Sequence, residues 1–156
     1  MSSNEATQLA PHECWDLLRS VQVGRLAVVL HGRPEIFPVN FVVDGGTVVF
    51  RTAAGSKLAG TASGPGVAFE ADGTLPGAGD AADDAWSVVV KGSTERVESI
   101  NELTKVLDLP LHPWHASPKF WFVRIVPLEV TGRRFTIADA SAWVNPVRGV
   151  RPAPVE

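Results

Sequence analysis

The sequence predicts a mainly β fold: a small barrel of six or so antiparallel strands with short helices between them. Three observations carry this. Apolar, β-branched runs recur along the chain, most are joined by tight-turn sequences, and the β-α-β alternation of an open parallel sheet is missing. The best-defined unit is the hairpin Val39–Val43 and Thr47–Phe50 around Asp44-Gly45-Gly46, which supplies the positive φ values of a tight turn.

The elements follow in order. Pro11–Ser20 reads as a short helix with Pro11 in its first turn and Cys14, Leu17 and Leu18 on one face. Val23–Leu30 is a strand, turned at His31-Gly32-Arg33-Pro34, and Glu35–Val43 returns. Thr47–Thr52 is the third strand, and Ser56–Ala62 a helix of one to two turns stopped by Ser63-Gly64-Pro65-Gly66. Val67–Ala71 is a strand, and the Gly/Ala/Asp-rich stretch Asp72–Asp84 reads as a mobile surface loop. Trp86–Lys91 continues past Gly92 as a bulged strand to Val97. Ser99–Leu107 is a helix, with Ser99 and Glu102 in a capping-box pattern. Lys119–Val126 and Leu128–Ile137 are two last strands divided by Pro127. A single domain therefore occupies 1–137, and 138–156 is an extended or disordered tail.

Composition narrows the function classes. The chain has 156 residues, 45% hydrophobic and 20% charged, with a net charge of −3, ordinary for one soluble domain and without the basic patch of a nucleic-acid binder. The one cysteine, Cys14, excludes an intrachain disulfide. The N-terminal stretch has no secretory pattern and no apolar run approaches a membrane span, so the expected setting is cytoplasmic.

The chemistry gathers in 38–58. Arg51 ends a strand, Thr52 and Ser56 bring hydroxyls, and Lys57 brings an ammonium beside Gly55, a set suited to a phosphate monoester. Gly55-Ser56-Lys57 lacks the pattern of a nucleotide phosphate loop, and no G-x-G-x-x-G is present.

Val23-Gly24-Arg25-Leu26-Ala27, Pro38-Val39-Asn40-Phe41 and Phe50-Arg51-Thr52 followed by Gly55-Ser56-Lys57-Leu58 resemble the flavin-binding split-barrel family, in its pyridoxamine 5′-phosphate oxidase-like branch, which includes nitroimidazole-resistance-type proteins. Trp86–Gly92, Phe122–Pro127 and Val130–Arg134 resemble its later strands. The resemblance implies a six-stranded antiparallel split β-barrel that dimerises, with FMN in clefts between the protomers. It places Pro38, Val39, Asn40 and Phe41 along the isoalloxazine, largely through backbone. Arg51 and Thr52 fall at the ring border and phosphate tail, Ser56 and Lys57 at the phosphate clamp, and Ser87 and Trp86 at the same cleft. Arg133 and Arg134 are weaker candidates for its wall. The Arg-x-His element with which true pyridoxamine phosphate oxidases hold their vitamin substrate does not occur in the sequence, so the cofactor site carries over and the vitamin reaction does not.

Several of these residues also have plain structural readings. Ser56 and Lys57 could be an exposed helix cap, Arg51 a solvated charge, and Asn40 a buried amide with structural partners. Trp86 fits core or dimer packing as well as a cleft wall, and His112 with His115 lacks the further ligands of a metal or haem site. The expected function is an FMN-dependent oxidoreductase acting on a small organic molecule. A deazaflavin-dependent reductase and a non-catalytic flavin or haem binder are the alternatives.

Overall fold

Buried and more exposed positions alternate along Val23–Leu30, as in a strand with one buried face: Leu26 and Val28 are buried while Arg25 and Val29 are exposed. The computed structural model describes residues 6–59, 66–107, 109–111 and 120–138. Its elements are β1 (Thr7–Gln8), α1 (Pro11–Arg19), β2 (Val23–Leu30), β3 (Arg33–Asp44), β4 (Thr47–Ala53), β5 (Val67–Leu75), β6 (Asp84–Arg96), α2 (Ile100–Leu107) and β7 (Phe120–Thr136). All pairings are antiparallel, in the order β1-β7-β4-β3-β2-β5-β6, and β6 also pairs with β7. The six long strands thus run in a circle, a split β-barrel in which β3 and β4 meet only from Phe41 to Asp44.

The split has a covalent cause. β3 pairs with β2 from Arg33 to Asn40 through a turn at His31 (φ 50°) and Gly32 (φ 75°). The Phe41 N–H donates to the Gln22 carbonyl, on the β2 side. Backbone groups alternate sides along a strand, so positions 34, 36, 38 and 40 turn theirs toward β4. Two of those positions are Pro34 and Pro38, which have no N–H to give. A continuous ladder to β4 cannot form there, and the β3 edge stays open.

Inside the barrel, Phe50, Phe69, Leu26, Val48, Val88, Val90, Val123 and Ile125 form one core. α1 lays Cys14 and Leu18 on it, with the Ala10 N–H capped by the Glu13 carboxylate at 2.7 Å. Burial, with the neighbouring Glu13 charge, raises the Cys14 thiol above its ordinary range, so it packs as a small apolar group. A second cluster, Val49, Val97, Val106 and Phe122, fills the space between α2 and the outer face of β4 and β7. β4 is therefore covered on both faces, which is why Val48, Val49 and Phe50 are all fully buried. Among the described residues no helix is long and apolar enough to cross a membrane.

Of the helix expected from Ser56 to Ala62, residues 54–58 are turns around Gly55 at φ 81°, helical backbone begins at Ala59, whose N–H the Ser56 Oγ accepts as a helix cap does, and 60–65 lie outside the described residues. The loop expected from Asp72 to Asp84 is present but shorter at both ends. β5 runs on to Leu75 and β6 begins at Asp84, leaving only 76–83 as connection. Pro127 does not divide the last strand, because it sits opposite Gly92 where the register shifts and β7 itself carries the extra residue, Leu128, so the ladder is already interrupted there. The bulge at Gly92 and the Ser99 cap of α2, whose Oγ accepts the Glu102 N–H at 3.1 Å, match the sequence expectations. The short β1 on β7 was not anticipated. The tail from 139 and the His112–His115 motif lie outside the described residues.

Gly24 is the tightest point of the strand packing that borders the split. A methyl group there would run into the Phe69 ring and the Glu70 carbonyl, while Phe69 packs edge-on against Phe41 at 4.7 Å. Gly24→Ala is expected to cost about 1–3 kcal/mol by overpacking, read as a lower urea or thermal midpoint; an unchanged midpoint would show that Phe69 can move aside. At the closing seam, Arg134 and Thr136 of β7 donate to Asp84 at 2.7 and 3.0 Å, and these bonds, Arg134 first, lower the Asp84 pKa. A lowered carboxyl pKa stabilises above its unfolded value, near 4, and loses that stabilisation as pH falls through the folded value. Asp84→Asn should therefore lower the melting temperature at pH 7, with the gap to the native chain closing below about pH 4.

Candidate functional site

The open β3 edge and the 51–57 segment bracket one end of the barrel. The edge turns toward the gap the N–H groups of Ile36 and Asn40, together with the carbonyls of residues 34, 36, 38 and 40. The side chains of Val39 and Phe41 point into the core, 6% and 3% exposed, and their backbone groups face β2, so neither residue presents a polar group to the gap. Pro38 is exposed, and Asn40 is half-buried and already has a partner within the chain.

Across the gap, the Thr52 and Ser56 hydroxyls are 2.9 Å apart, and the Ser56 Oγ also accepts the Ala59 N–H at 3.1 Å. Two hydroxyls carry two hydrogens, and one is used between them. Whichever hydroxyl donates, the other keeps an O–H with no acceptor among the described residues, in a corner where Thr52 is only 6% exposed. That corner offers a donor to an anionic oxygen. Lys57 is 75% exposed at its side chain and stands 4.0 Å from the Glu35 carboxylate, linking the 54–59 turns to β3 across the split. An ion pair that long and that exposed contributes little and can be exchanged for a better anion.

Arg51 departs from the expected cluster. Side chains alternate faces along a strand, so Thr52 faces inward while Arg51 faces outward, its guanidinium stacked 3.6 Å over the Phe120 ring. The four phosphate candidates therefore form an inner trio of Thr52, Ser56 and Lys57, with Arg51 held on the adjacent outer side. Trp86 is a core residue, 2% exposed, its indole lying directly over Gly73. Ser87 is half-buried, in register with Asp72 on one side and Arg133 on the other, on the barrel's outer surface. Arg133 is exposed, and Arg134 is engaged by Asp84.

Residues not singled out from the sequence share this end. Trp121 is the register partner of Thr52 and Phe120 that of Ala53, and the Arg96 guanidinium lies 3.8 Å over the Trp121 ring. The run Phe120-Trp121-Phe122 was a visible aromatic signal. Its two arginine partners lie far away in sequence, which left that run without a role. On the outer surface between Asn40 and Ser87, Arg25 reaches both Glu70 (3.4 Å) and Asp72 (3.3 Å). Burial and the neighbouring Asp72 raise the Glu70 pKa, with Arg25 opposing. No group of three or more metal-ligating side chains occurs among the described residues.

Comparison with known proteins places this geometry in context. A family profile described as pyridoxamine 5′-phosphate oxidase matches residues 10–134. The solved FAD-binding protein of Mycobacterium smegmatis is 42% identical, covering 85% of this chain and 100% of that one at a TM-score of 0.72. A solved Corynebacterium glutamicum protein, provisionally described as a pyridoxamine 5′-phosphate oxidase, is 40% identical, covering 89% of this chain and 99% of that one at a TM-score of 0.77. An uncharacterised Mycobacterium tuberculosis protein is 34% identical over 144 residues, 89% of this chain and 91% of its own length. The matched span runs from the start of α1 to the closing strand β7 and takes in the split, the 51–57 segment and every core strand, and by it the chain belongs to the pyridoxamine 5′-phosphate oxidase family.

Proposed function

We propose that the chain is a flavoprotein that holds an FMN moiety at the split, with the phosphate on Thr52, Ser56 and Lys57 and the ring along β3 at Pro38–Phe41. The observation that carries this is the pair of groups beside the missing barrel wall: two bonded hydroxyls with one hydrogen left to give, and, one residue on, an exposed ammonium held only by a long ion pair to Glu35. The donor set fits the group. A phosphate monoester carries about −1.5 to −2 charges, and Lys57 with neighbouring Arg51 offsets much of this. The flavin-binding habit of a 42% identical relative supports the same choice.

When bound, an isoalloxazine supplies hydride or single-electron transfer, and the protein's part is binding, orientation and electrostatics. Here the β3 edge offers backbone donors and acceptors to the ring's polar rim, and the apolar side chains behind it keep water from the inner face. The reaction we propose is an oxidoreduction of a small organic substrate other than the vitamin, in keeping with the missing Arg-x-His element. FMN should quench its fluorescence on titration into the protein at micromolar concentration. Lys57→Ala should weaken binding about 10- to 100-fold, one charge-assisted contact. Unchanged affinity removes Lys57 from the site, no FMN binding at all overturns the proposal, and deazaflavin binding more than tenfold tighter than FMN replaces the cofactor.

We also propose that the protein works as a homodimer. Val29 and Ile36 (both 68% exposed) and Leu128 (85%) form an apolar outer patch, and Ile36 lies on the same stretch of β3 whose edge is open. A second copy covering this patch would also wall the cofactor site. Light scattering should give twice the chain mass, and Ile36→Lys should shift it toward the monomer while leaving the melting transition cooperative; a monomeric native protein refutes the dimer.

A further inference from the structure

The cleft at the start of β7 plays no part in the flavin proposal. It lies between the end of β6, α2 and the first residues of β7, has a volume of about 380 Å³, and is lined by Arg96, Glu98, Leu103, Phe120, Trp121 and Phe122 among others. That is within the usual range of small-molecule sites, about 300–1,000 Å³. We propose that this cleft is a separate binding site for a small planar aromatic carboxylate, with the carboxylate on the Arg96 guanidinium and the ring against Phe120 and Leu103. None of the residues assigned to the flavin lines the cleft, so the inference does not depend on that assignment.

The donor edge of Arg96 is the first support. Its guanidinium lies 3.8 Å over the Trp121 ring, a contact that fixes its plane and leaves its N–H groups to be shared elsewhere. The carboxylate of Glu98 stands 3.6 Å away, too far for a hydrogen bond, and that side chain is 71% exposed. Among the described residues no acceptor lies within hydrogen-bond distance of the Arg96 guanidinium. A fork already oriented by stacking loses little freedom on taking up a planar carboxylate in a two-pronged contact. Glu98, exposed and loosely paired, is readily displaced from it.

The walls decide what carries the carboxylate. Phe120 and Phe122 meet edge-on at 5.4 Å, and Phe122 belongs to the buried cluster under α2, which holds both rings in place. Phe120 and Leu103 pack against that cluster and stay half-buried, so they turn flat apolar surface to the cleft, where an aromatic ring finds more contact than a flexible chain. The Val97 N–H donates to the Phe122 carbonyl at 2.9 Å, and by the alternation of a strand the N–H and carbonyl of Phe120 turn to the same side. β6 has ended at Arg96, and no described residue pairs with those two groups, so this edge has a donor and an acceptor for ring substituents. Arg96 repels a cationic ligand, and a neutral ring leaves its N–H groups to water. One cation beside Glu98 suits a single negative charge better than the two of a phosphate.

Calorimetric titration of 2-naphthoate, with 2-naphthamide and cyclohexanecarboxylate as controls, tests this. The native chain should bind 2-naphthoate at least about tenfold tighter than either control, which corresponds to about 1.4 kcal/mol. Arg96→Gln should remove the preference for the carboxylate over the amide while changing amide affinity by less than about twofold. Arg96→Lys should restore only part of it, because an ammonium keeps the charge and lacks the fork. Glu98→Gln should tighten 2-naphthoate about two- to fivefold and leave the amide unchanged, since a competing carboxylate is gone. Thermal melts check that each variant is folded, and the exposed rim change Glu98→Gln decides if the Arg96 variants are not. Native affinity for 2-naphthoate equal to that for either control, no binding up to about 1 mM, or an unchanged preference in Arg96→Gln overturns the inference. Displacement of 2-naphthoate by saturating FMN also overturns it, by making the cleft part of the flavin site. A chain that binds 2-naphthoate as expected and no flavin overturns the flavin proposal alone.

Discussion

Two missing hydrogen-bond donors shape this end of the molecule. Pro34 and Pro38 stand at the positions of β3 whose backbone faces β4, and neither can donate. β3 keeps its full pairing with β2, since Glu35, Phe37 and Val39 supply that side. It joins β4 only once the prolines are past, at Phe41. The seam between β3 and β4 is therefore paired only from Phe41 to Asp44 and stays open before it. An exposed strand edge usually invites pairing with another chain, and prolines on it remove the regular ladder such pairing needs. The opening can thus persist as a place for a ligand.

The same gap sorts the charged groups by what they can release. Lys57 is tied to Glu35 across it by a long, solvent-exposed ion pair, which holds the side chain near the corner at little cost to exchange. Arg51 is fixed by stacking on Phe120 and Arg96 by stacking on Trp121, contacts of about 0.5–2 kcal/mol that orient a guanidinium without neutralising it. One cation is adjustable and two are preset. The two preset cations lie at the junction of β4 with β7, whose outer face α2 packs and whose inner face the barrel core packs.

Local chemistry made much of the fold legible. The Asp44-Gly45-Gly46 turn, the Ser99 cap, the bulge at Gly92 and the face of α1 each depend on residues close in sequence, and each was read correctly. The errors arose where a distant partner decides. Asp72–Leu75 has loop-like composition, yet continues as strand because β6 offers it a ladder from Ser87 to Asp84. Pro127 reads as a strand break, yet it lies at a bulge of β7 opposite Gly92, with Leu128 the extra residue, where its missing donor does no harm. Ser56, by contrast, stands where its local sequence suggests, accepting the Ala59 N–H at the point where helical backbone begins while sharing its hydroxyl with Thr52.

For the site, sequence by itself determined the inventory: a hairpin carrying Arg51, Thr52, Ser56 and Lys57 within a few residues, behind a strand holding Pro38 and Asn40. Which face each side chain takes follows from the period of two, and even the opposition of Arg51 and Thr52 was implicit in their adjacency. Only the tertiary structure decided what those faces meet. Register across β4 and β7 put Trp121 beside Thr52, folding of β6 against β7 brought Arg96 over that ring, and the core claimed Trp86. Such contacts join residues tens of positions apart, so they depend on strand register and barrel closure, which no local pattern of residues encodes.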